Sequence, residues 1–358
     1  MTNLLKYNQA KMKIFQLVAD RQLQIGDRLP PERELVEDFS LSLITVRRAM
    51  RELEEERIIE RRPRMGTFLR QTLSKMPEFG KMLNIRICLP DSRDNPACSS
   101  MGQKIALELQ KRHIRLLHRV TAAPELEIAR TASECMGIFV TGNLNGQWRD
   151  FLKSLGTPVV VIGGNPFPGV FSNVNYDMCN AAADCHRALL DSGCVRTALV
   201  NGGRTYLQSV EIHRGFMKAA QERGLAPGSL PVLWPEPAEI GGSLMRFLRE
   251  HPDLDGVLLE SGALDAMLGC LWQTNYNRDL KISVILDNRN AVRPFSTVRN
   301  GIGAYFDRSI PLLAVERMLE QLDASGRRVT TDLIRPKLYH QSGECNILNL
   351  NLWNLCEI

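Results

Sequence analysis

No two cysteines in this chain stand at C-x-x-C spacing, and none of its six histidines lies at a zinc-finger interval from a cysteine. Zinc fingers, zinc ribbons and thioredoxin-like redox pairs are thereby excluded. The nine cysteines are odd in number and scattered, the usage of a reducing compartment rather than of a disulfide framework. Cys185-His186 is a lone neighbour pair and reads as part of a helix packed partly into a core, not as a metal site. Long apolar runs are missing too. No segment approaches the ~20 apolar residues of a membrane span, and the amino terminus lacks the apolar core of a signal peptide. The expectation is a cytoplasmic protein with no membrane partner. The sequence also lacks a G-x-S-x-G elbow, a Walker P-loop and H-E-x-x-H. Gly301-Ile302-Gly303 has no third glycine and follows no convincing strand, so it is not a dinucleotide fingerprint. Neither catalysis nor a cofactor is expected.

What remains is ordinary globular material: 358 residues, 44% hydrophobic and 24% charged, enough for two or three domains. The net charge of +5 is mild, but its placement is informative. Residues 1–75 hold 15 Lys+Arg against 11 Asp+Glu, and the rest of the chain 30 against 29. A small basic head on a near-neutral body suits a nucleic-acid partner for the head.

The stretch from Leu29 to Phe68 carries the clearest pattern. One helix is expected from Pro31, which suits the first helical position, to near Ser40. It has Glu32 and Glu34 in the dipole-favoured first turn and Leu35, Val36 and Phe39 inward. Ser42 is placed to cap a second helix that turns Val46, Ala49, Met50 and Leu53 inward. Thr45, Arg47, Arg48 and Arg51 lie near its start or on its outer face. A short turn with polar and basic groups at the start of the second helix is what entry into a major groove requires. Ile58–Glu60 and Thr67–Leu69 read as two short strands. The basic tip between them contains Gly66, which lets the backbone approach phosphates closely. An amphipathic helix over residues 5–21, with Ala10, Ile14, Leu17 and Val18 on one face, packs beneath.

This block resembles the winged-helix domain of the GntR family. The resemblance rests on Gly26, Leu29-Pro30, Glu32-Arg33-Glu34-Leu35, Ser42, Thr45-Val46-Arg47, Ala49, Leu53, Ile59-Glu60-Arg61-Arg62 and Gly66-Thr67-Phe68. It implies DNA contacts by Arg33, Ser42, Thr45 and Arg47 and a minor-groove contact at Gly66. Arg48, Arg62 and Arg64 complete the expected DNA-binding set. Three places depart from the family: Leu43 stands where Arg is frequent, Arg57 where Gly is usual, and Arg64-Met65 where a Gly-Arg pair is usual.

From Ile85 the rhythm changes, after a stretch at residues 72–84 read as a linker. Strands are expected at Ile85–Leu89, Arg115–Arg119, Gly137–Val140, Pro158–Ile162, Thr197–Val200, Gly256–Leu259 and Lys281–Leu286. Helices are expected at Gly102–His113, Trp148–Leu155, Asp177–Ser192, Glu211–Arg223, Ile240–Glu250, Ala263–Thr274 and Tyr305–Leu322. Such alternation indicates parallel sheets wrapped on both faces, here an α/β body of two lobes. Ligands of such sheets bind at the carboxyl ends of strands. The loops there hold Asp91, Ser92, Asn143, Asn165, Arg204, Glu260 and Asp287, a set suited to a small polar effector.

The body, residues 85–345, resembles the periplasmic-binding-protein-like sensor of the LacI/GalR repressors. The resemblance rests on Gly137-Ile138-Phe139-Val140, Pro158 to Ile162, Val174-Asn175-Tyr176-Asp177, Leu189 to Gly193, Gly215 to Ala219, Asp255-Gly256-Val257, Ile282 to Asn288, Phe295 to Val298 and Ser342-Gly343. A GntR-type head on such a sensor is the plan of the arabinose-repressor group. Two departures touch the effector. Ile212 stands where the family carries a sugar-contacting Arg, and Ala263-Leu264 where it carries Asn-Asp.

The expected architecture is therefore a winged helix-turn-helix at 1–71, a linker at 72–84, a two-lobed sensor and dimerisation domain at 85–345, and a tail at 346–358. The expected function is a homodimeric transcription regulator, a repressor, on a pseudo-palindromic double-stranded DNA operator. A small polar effector, a sugar or sugar derivative being one candidate, would modulate it. The sequence leaves open a regulator whose sensor-like domain serves only dimerisation.

Overall fold

A small core closes first at the amino-terminal end of the computed structural model. The structure describes residues 10–71, apart from 16 and 19, and 80–340, apart from 89–95, 205, 236–238, 275–278, 287–294, 296–297, 299–300 and 324–327. Asp91, Ser92, Asp287 and the tail at 346–358 therefore lie outside the described residues. Helical residues 10–15, 17–18 and 20 form α1. The helices α2 (Glu32–Phe39) and α3 (Leu43–Glu55) follow, then a hairpin of β1 (Ile59–Arg62) and β2 (Gly66–Leu69). Ala10, Ile14 and Val18 share one face of α1 and pack with Leu35, Phe39, Val46, Met50, Leu53 and Leu69. Lys11 is buried and reaches Glu56 at 2.7 Å and Glu52 at 3.3 Å, tying α1 to the end of α3. Pro31 is not the first helical residue. It is the N-cap, extended at φ −60° and ψ 150°. Its fixed φ suits both states, and its carbonyl accepts the first-turn bond from Leu35 N–H at 3.1 Å.

The body belongs to two compact units, the first of which includes the head. In the first, β4 (Ile114–Thr121), β3 (Gly80–Ile87), β5 (Gly137–Gly142) and β6 (Val159–Ile162) are neighbours in that order and all parallel. The helices α4 (Pro96–Gln110), α5 (Leu126–Ser133) and α6 (Gly146–Leu155) connect them. Ile138, Phe139 and Val140 are all buried, as expected of a parallel strand covered on both faces. The strand β3 starts at Gly80, inside the stretch read as linker, and pairs with β4 from Gly80↔Ile114 onward. Gly80, Lys81 and Asn84 interrupt the apolar run there, so backbone pairing rather than hydrophobicity extends the strand.

In the second unit, six strands run in the order β14 (Lys337–His340), β12 (Ile302–Tyr305), β11 (Lys281–Leu286), β10 (Gly256–Glu260), β8 (Thr197–Val200) and β9 (Val232–Leu233). Only β14 is antiparallel. The strands β7 (Ser172–Tyr176) and β13 (Thr331–Ile334) pair in parallel. The helices are α7 (Met178–Asp191), α8 (Leu207–Glu222), α9 (Ile240–Glu250) and α10 (Leu264–Thr274); α11 (Ile310–Asp323), later in the chain, belongs from Pro311 onward to the first unit. The long helix expected over Tyr305–Leu322 is wrong at its start. Tyr305 ends a strand, and α11 begins at Ile310. Ile302-Gly303 open β12, and Gly301 directly precedes it. A Cβ at Gly303 would come 2.8 Å from Leu286 Cδ1, and one at Gly301 2.9 Å from Phe295 Cε2, so the two glycines make room for apolar packing.

The pair Cys185-His186 sits within the core of α7. His186 Nδ1–H donates to the Phe216 carbonyl at 2.8 Å, and Nε2 accepts from the Thr197 hydroxyl at 2.8 Å. A carbonyl only accepts, which fixes this tautomer. Burial lowers the His186 pKa and pushes the Cys185 thiol up to about 12. Both are neutral packing groups.

Candidate nucleic-acid interface and effector half-site

The start of α3 is built by its cap. Ser42 is extended, and its hydroxyl accepts from Thr45 N–H at 3.2 Å while lying 2.8 Å from the Thr45 hydroxyl. That pairing satisfies one orphan N–H of the helix and fixes two expected DNA-contacting side chains against each other. Val46, Ala49, Met50 and Leu53 face the core, so the intervening Arg47, Arg48 and Arg51 are exposed. Arg47 Nε donates to Glu32 Oε2 at 3.0 Å. Arg48 Nε instead turns along its own helix to Glu52 Oε1 at 3.3 Å. Arg33 is exposed on α2. Beside the cap, sequence reasoning singled out Leu43 and passed over Ile44. Ile44 is 81% exposed and Leu43 37%. Exposed apolar groups at the start of such a helix fit thymine methyls, and the signal was available: both fall off the inward period of α3.

The hairpin presents a second basic edge. Arg62 stacks over Phe68, with the guanidinium carbon 4.7 Å from the ring centroid, and reaches Glu60 at 3.4 Å. Arg64 at the tip is exposed and left-handed, φ +64°. Gly66 has φ +116°, which favours glycine, and a Cβ there would come 2.6 Å from Arg28 Nε. Arg28 itself bridges to Phe68, adding a third short edge to the hairpin. All eight expected DNA-binding residues thus lie in one head, on α2, α3 or the hairpin. Arg57, the other departure, is also left-handed at φ +60°. Arg57 N–H donates to Glu54 O at 3.0 Å and Ile58 N–H to Leu53 O at 2.9 Å. These two bonds make a Schellman ending, whose left-handed residue is usually glycine.

The effector set is only partly assembled by the described residues. Asn143 is half-buried after β5 in the first unit, its N–H on the Ile87 carbonyl at 3.2 Å. In the second unit Asn165 Oδ1 accepts from Phe167 N–H at 2.9 Å, a turn, while its buried Nδ2 has no partner among the described residues. Glu260 ends β10 and spends both carboxylate oxygens locally, on Ser261 Oγ at 3.3 Å and Gly262 N–H at 3.0 Å. Its first role is a cap. Arg204 follows β8 and lies over Trp234, with 5.4 Å from the guanidinium carbon to the ring centroid. His213 stands 5.4 Å from the same ring, its pKa lowered by burial and by Arg204. Trp234 went unnoticed in the sequence, since it follows a strand of only two residues. Ile212, Ala263 and Leu264 are buried, so three positions that carry polar sugar contacts in the resembled family are core here. Arg214 is turned to a different cavity of about 650 Å³ lined by Cys179, Val210, His213, Met217, Lys218 and Gln221.

Residues 6–69 match the family model of bacterial regulatory proteins, gntR family. The mannosyl-D-glycerate transport/metabolism system repressor MngR of Escherichia coli (strain K12) is 37% identical over 65 residues, covering 18% of this chain. The match spans 27% of that relative's length. Solved structures resemble between 73% and 85% of the chain. The transcriptional regulator CelR–cellobiose complex gives a TM-score of 0.59 at 14% identity over 85% of this chain and 92% of its own. The Cra dual regulator of Pseudomonas putida, in complex with fructose 1-phosphate, gives 0.58 at 18% identity over 73% and 99%. A transcriptional regulator structure from Yersinia pestis biovar Microtus str. 91001 gives 0.60 at 15% identity over 74% and 99%. The amino-terminal region is a GntR-type helix-turn-helix domain with a wing, and the body has the two-sheet fold of LacI-type and periplasmic-binding-protein-like regulators.

Proposed function

We propose that this chain is a cytoplasmic transcription regulator, a repressor, which binds a pseudo-palindromic operator as a homodimer and answers to a sugar or sugar derivative. The observation that carries the reading is the start of α3. There a Ser42–Thr45 cap leaves Ile44 and Arg47 exposed, in the same small domain as a basic wing tip. A helix start of that kind reads base edges, and the wing supplies phosphate contacts. Two heads related by a two-fold axis read two half-sites, hence the homodimer and the palindrome. The sugar class is supported by what the relatives' names carry, mannosyl-D-glycerate, cellobiose and fructose 1-phosphate. The grouping of Trp234 and Arg204 on one half-site adds an aromatic face and an anion-binding fork.

Selection from random duplexes, followed by anisotropy titration across salt, tests the DNA reading. A preferred palindrome and an affinity falling linearly with salt on logarithmic axes are expected; a flat salt titration removes the head as the binding unit. For the effector, thermal shift against sugars, sugar phosphates and sugar acids is the measurement, since a bound ligand stabilises by RT ln(1 + [L]/Kd). The burial of Ile212, Ala263 and Leu264 favours one second reading, a body that serves dimerisation alone. A panel without a single shift would establish that reading instead.

A further inference from the structure

Within the head, one carboxylate touches two arginines from different elements. Glu32, in the first turn of α2, receives Arg47 Nε of α3 at 3.0 Å and Arg61 Nη2 of β1 at 2.9 Å. Arg61 extends the chain by reaching Glu54 Oε2 at 3.4 Å, and its backbone N–H donates to Glu54 Oε1 at 3.3 Å. Glu32 is the most covered of the four, with a quarter of its side chain exposed against 60% for Arg47. The network therefore joins α2, α3 and the wing strand β1 through one side chain.

An exposed ion pair contributes little to stability, so its value lies elsewhere. A guanidinium has five N–H donors in a fixed plane. Binding Arg47 through Nε leaves its two outer nitrogens together at the far end of the fork. That is the end needed for a bidentate contact to guanine O6 and N7. A free Arg would have to surrender its rotamer freedom on binding, whereas a held one has surrendered most of it already. The same carboxylate brings a negative charge close to where phosphates would pass, which opposes binding that does not use the fork. Both effects act in one direction: they raise the difference between right and wrong sequences more than the affinity itself.

We infer that Glu32, itself anchored to the wing strand by Arg61, is a positioning residue that aligns Arg47 for sequence reading, acting through Arg47 without touching DNA. The inference rests on the DNA-binding reading above. It is tested with the full-length chain, a duplex recovered by selection and a random duplex of equal length, each titrated across salt. For Glu32→Gln the expected result is tighter binding to random DNA, a steeper salt dependence by about one charge, and a loss of roughly tenfold in preference for the selected duplex. Glu32→Asp keeps the charge but is one methylene shorter. It should keep the salt slope and still lose preference, which a purely electrostatic role would not produce. With Arg47→Ala already present, Glu32→Gln should change preference no further, the non-additivity expected of groups acting as a unit. Unchanged preference in both Glu32 variants, or additive losses with Arg47→Ala, overturns the inference while leaving DNA binding intact. Absence of any sequence preference in the unaltered protein overturns the DNA reading itself, and is thereby told apart.

Discussion

The head and the second unit of the body differ in what stands where the resembled families carry arginine. In the head, Arg33, Arg47, Arg62 and Arg64 lie on the surface, and Glu32 and Glu60 hold Arg47 and Arg62 in place without burying them. In the body, the position that the family resemblance assigns to an arginine is Ile212, buried on α8. At those positions exposed cations stand in one region and a buried aliphatic side chain in the other. Surface chemistry and core packing are therefore separable by mutation, and the largest effects should fall on the body's stability and the next on the head's binding.

The sharpest break of that comparison is at Gly215, where α7 and α8 cross. A Cβ there would stand 2.0 Å from the Cys179 carbonyl oxygen and 3.0 Å from Ala182 Cβ, and a backbone oxygen is not free to move aside. Gly215→Ala should cost about 3 kcal/mol, the upper range for overpacking. Thermal unfolding would read this as a lowered midpoint of the body transition, with DNA affinity at low temperature unchanged. A variant with the wild-type midpoint would refute the close crossing.

Arg47→Ala is the mirror experiment. Specific binding should weaken by roughly 1–3 kcal/mol if the fork reads a base, and binding to all sequences should weaken alike if it holds a phosphate. The unfolding midpoint should stay put, because Arg47 is mostly exposed. An unaltered affinity for the selected duplex would take Arg47 off the reading surface.

Most of the head was legible in the sequence because its code is local. A cap at Ser42, an inward period from Val46 to Leu53 and a glycine at position 66 each fix one geometric requirement with one residue type. The parallel strands of the body were legible for a related reason, since burial on both faces produces apolar runs such as Val159–Ile162. What escaped depends on partners distant in sequence. The strand Ile302–Tyr305 contains two small residues and gains its identity from pairing with β11 and β14. Trp234 acquires meaning only beside Arg204 and His213. Glu260 was singled out because its carboxylate ends a strand; that it also accepts from the Ser261 hydroxyl and Gly262 N–H was not legible from its position.

A proton separates core from surface as well. The His186 pKa is lowered by burial, so the folded state holds the ring neutral while the unfolded chain protonates near 6.5. Above that pH both states are neutral and His186 contributes no pH dependence. As pH falls below it, the unfolded state binds the proton first and stability declines until the lower folded value is passed. The slope from this one group is at most about 1.4 kcal/mol per pH unit. Comparing His186→Gln with the unaltered protein between pH 7 and pH 5 isolates it from His118 and His213, which are also lowered. The variant should start less stable and lose less; parallel curves would mean that His186 titrates normally.

The smallest effect sharpens the comparison inside the head itself. Arg57 and Arg64 share a left-handed backbone, and each stands where the resembled family has glycine. A side chain in that conformation costs roughly 1–2 kcal/mol, partly offset because glycine loses more chain entropy on folding. Arg57→Gly should therefore stabilise the head by about 0.5–1 kcal/mol, completing the Schellman ending of α3 with its usual residue. Hydrogen exchange of the α3 amides in the full-length chain would register roughly two- to fivefold greater protection. DNA binding should be untouched, because Arg57 lies at the opposite end of α3 from the Ser42 cap. Arg64→Gly relieves the same strain but removes a cation from the wing tip. Its stability gain should match while the logarithmic salt slope falls by about one. If both variants bind DNA as the unaltered protein does, Arg64 is a strained turn residue and no part of the interface. If only Arg64→Gly flattens the salt slope, then the strain at the tip is retained for its charge, and the strain at Arg57 has no such compensation.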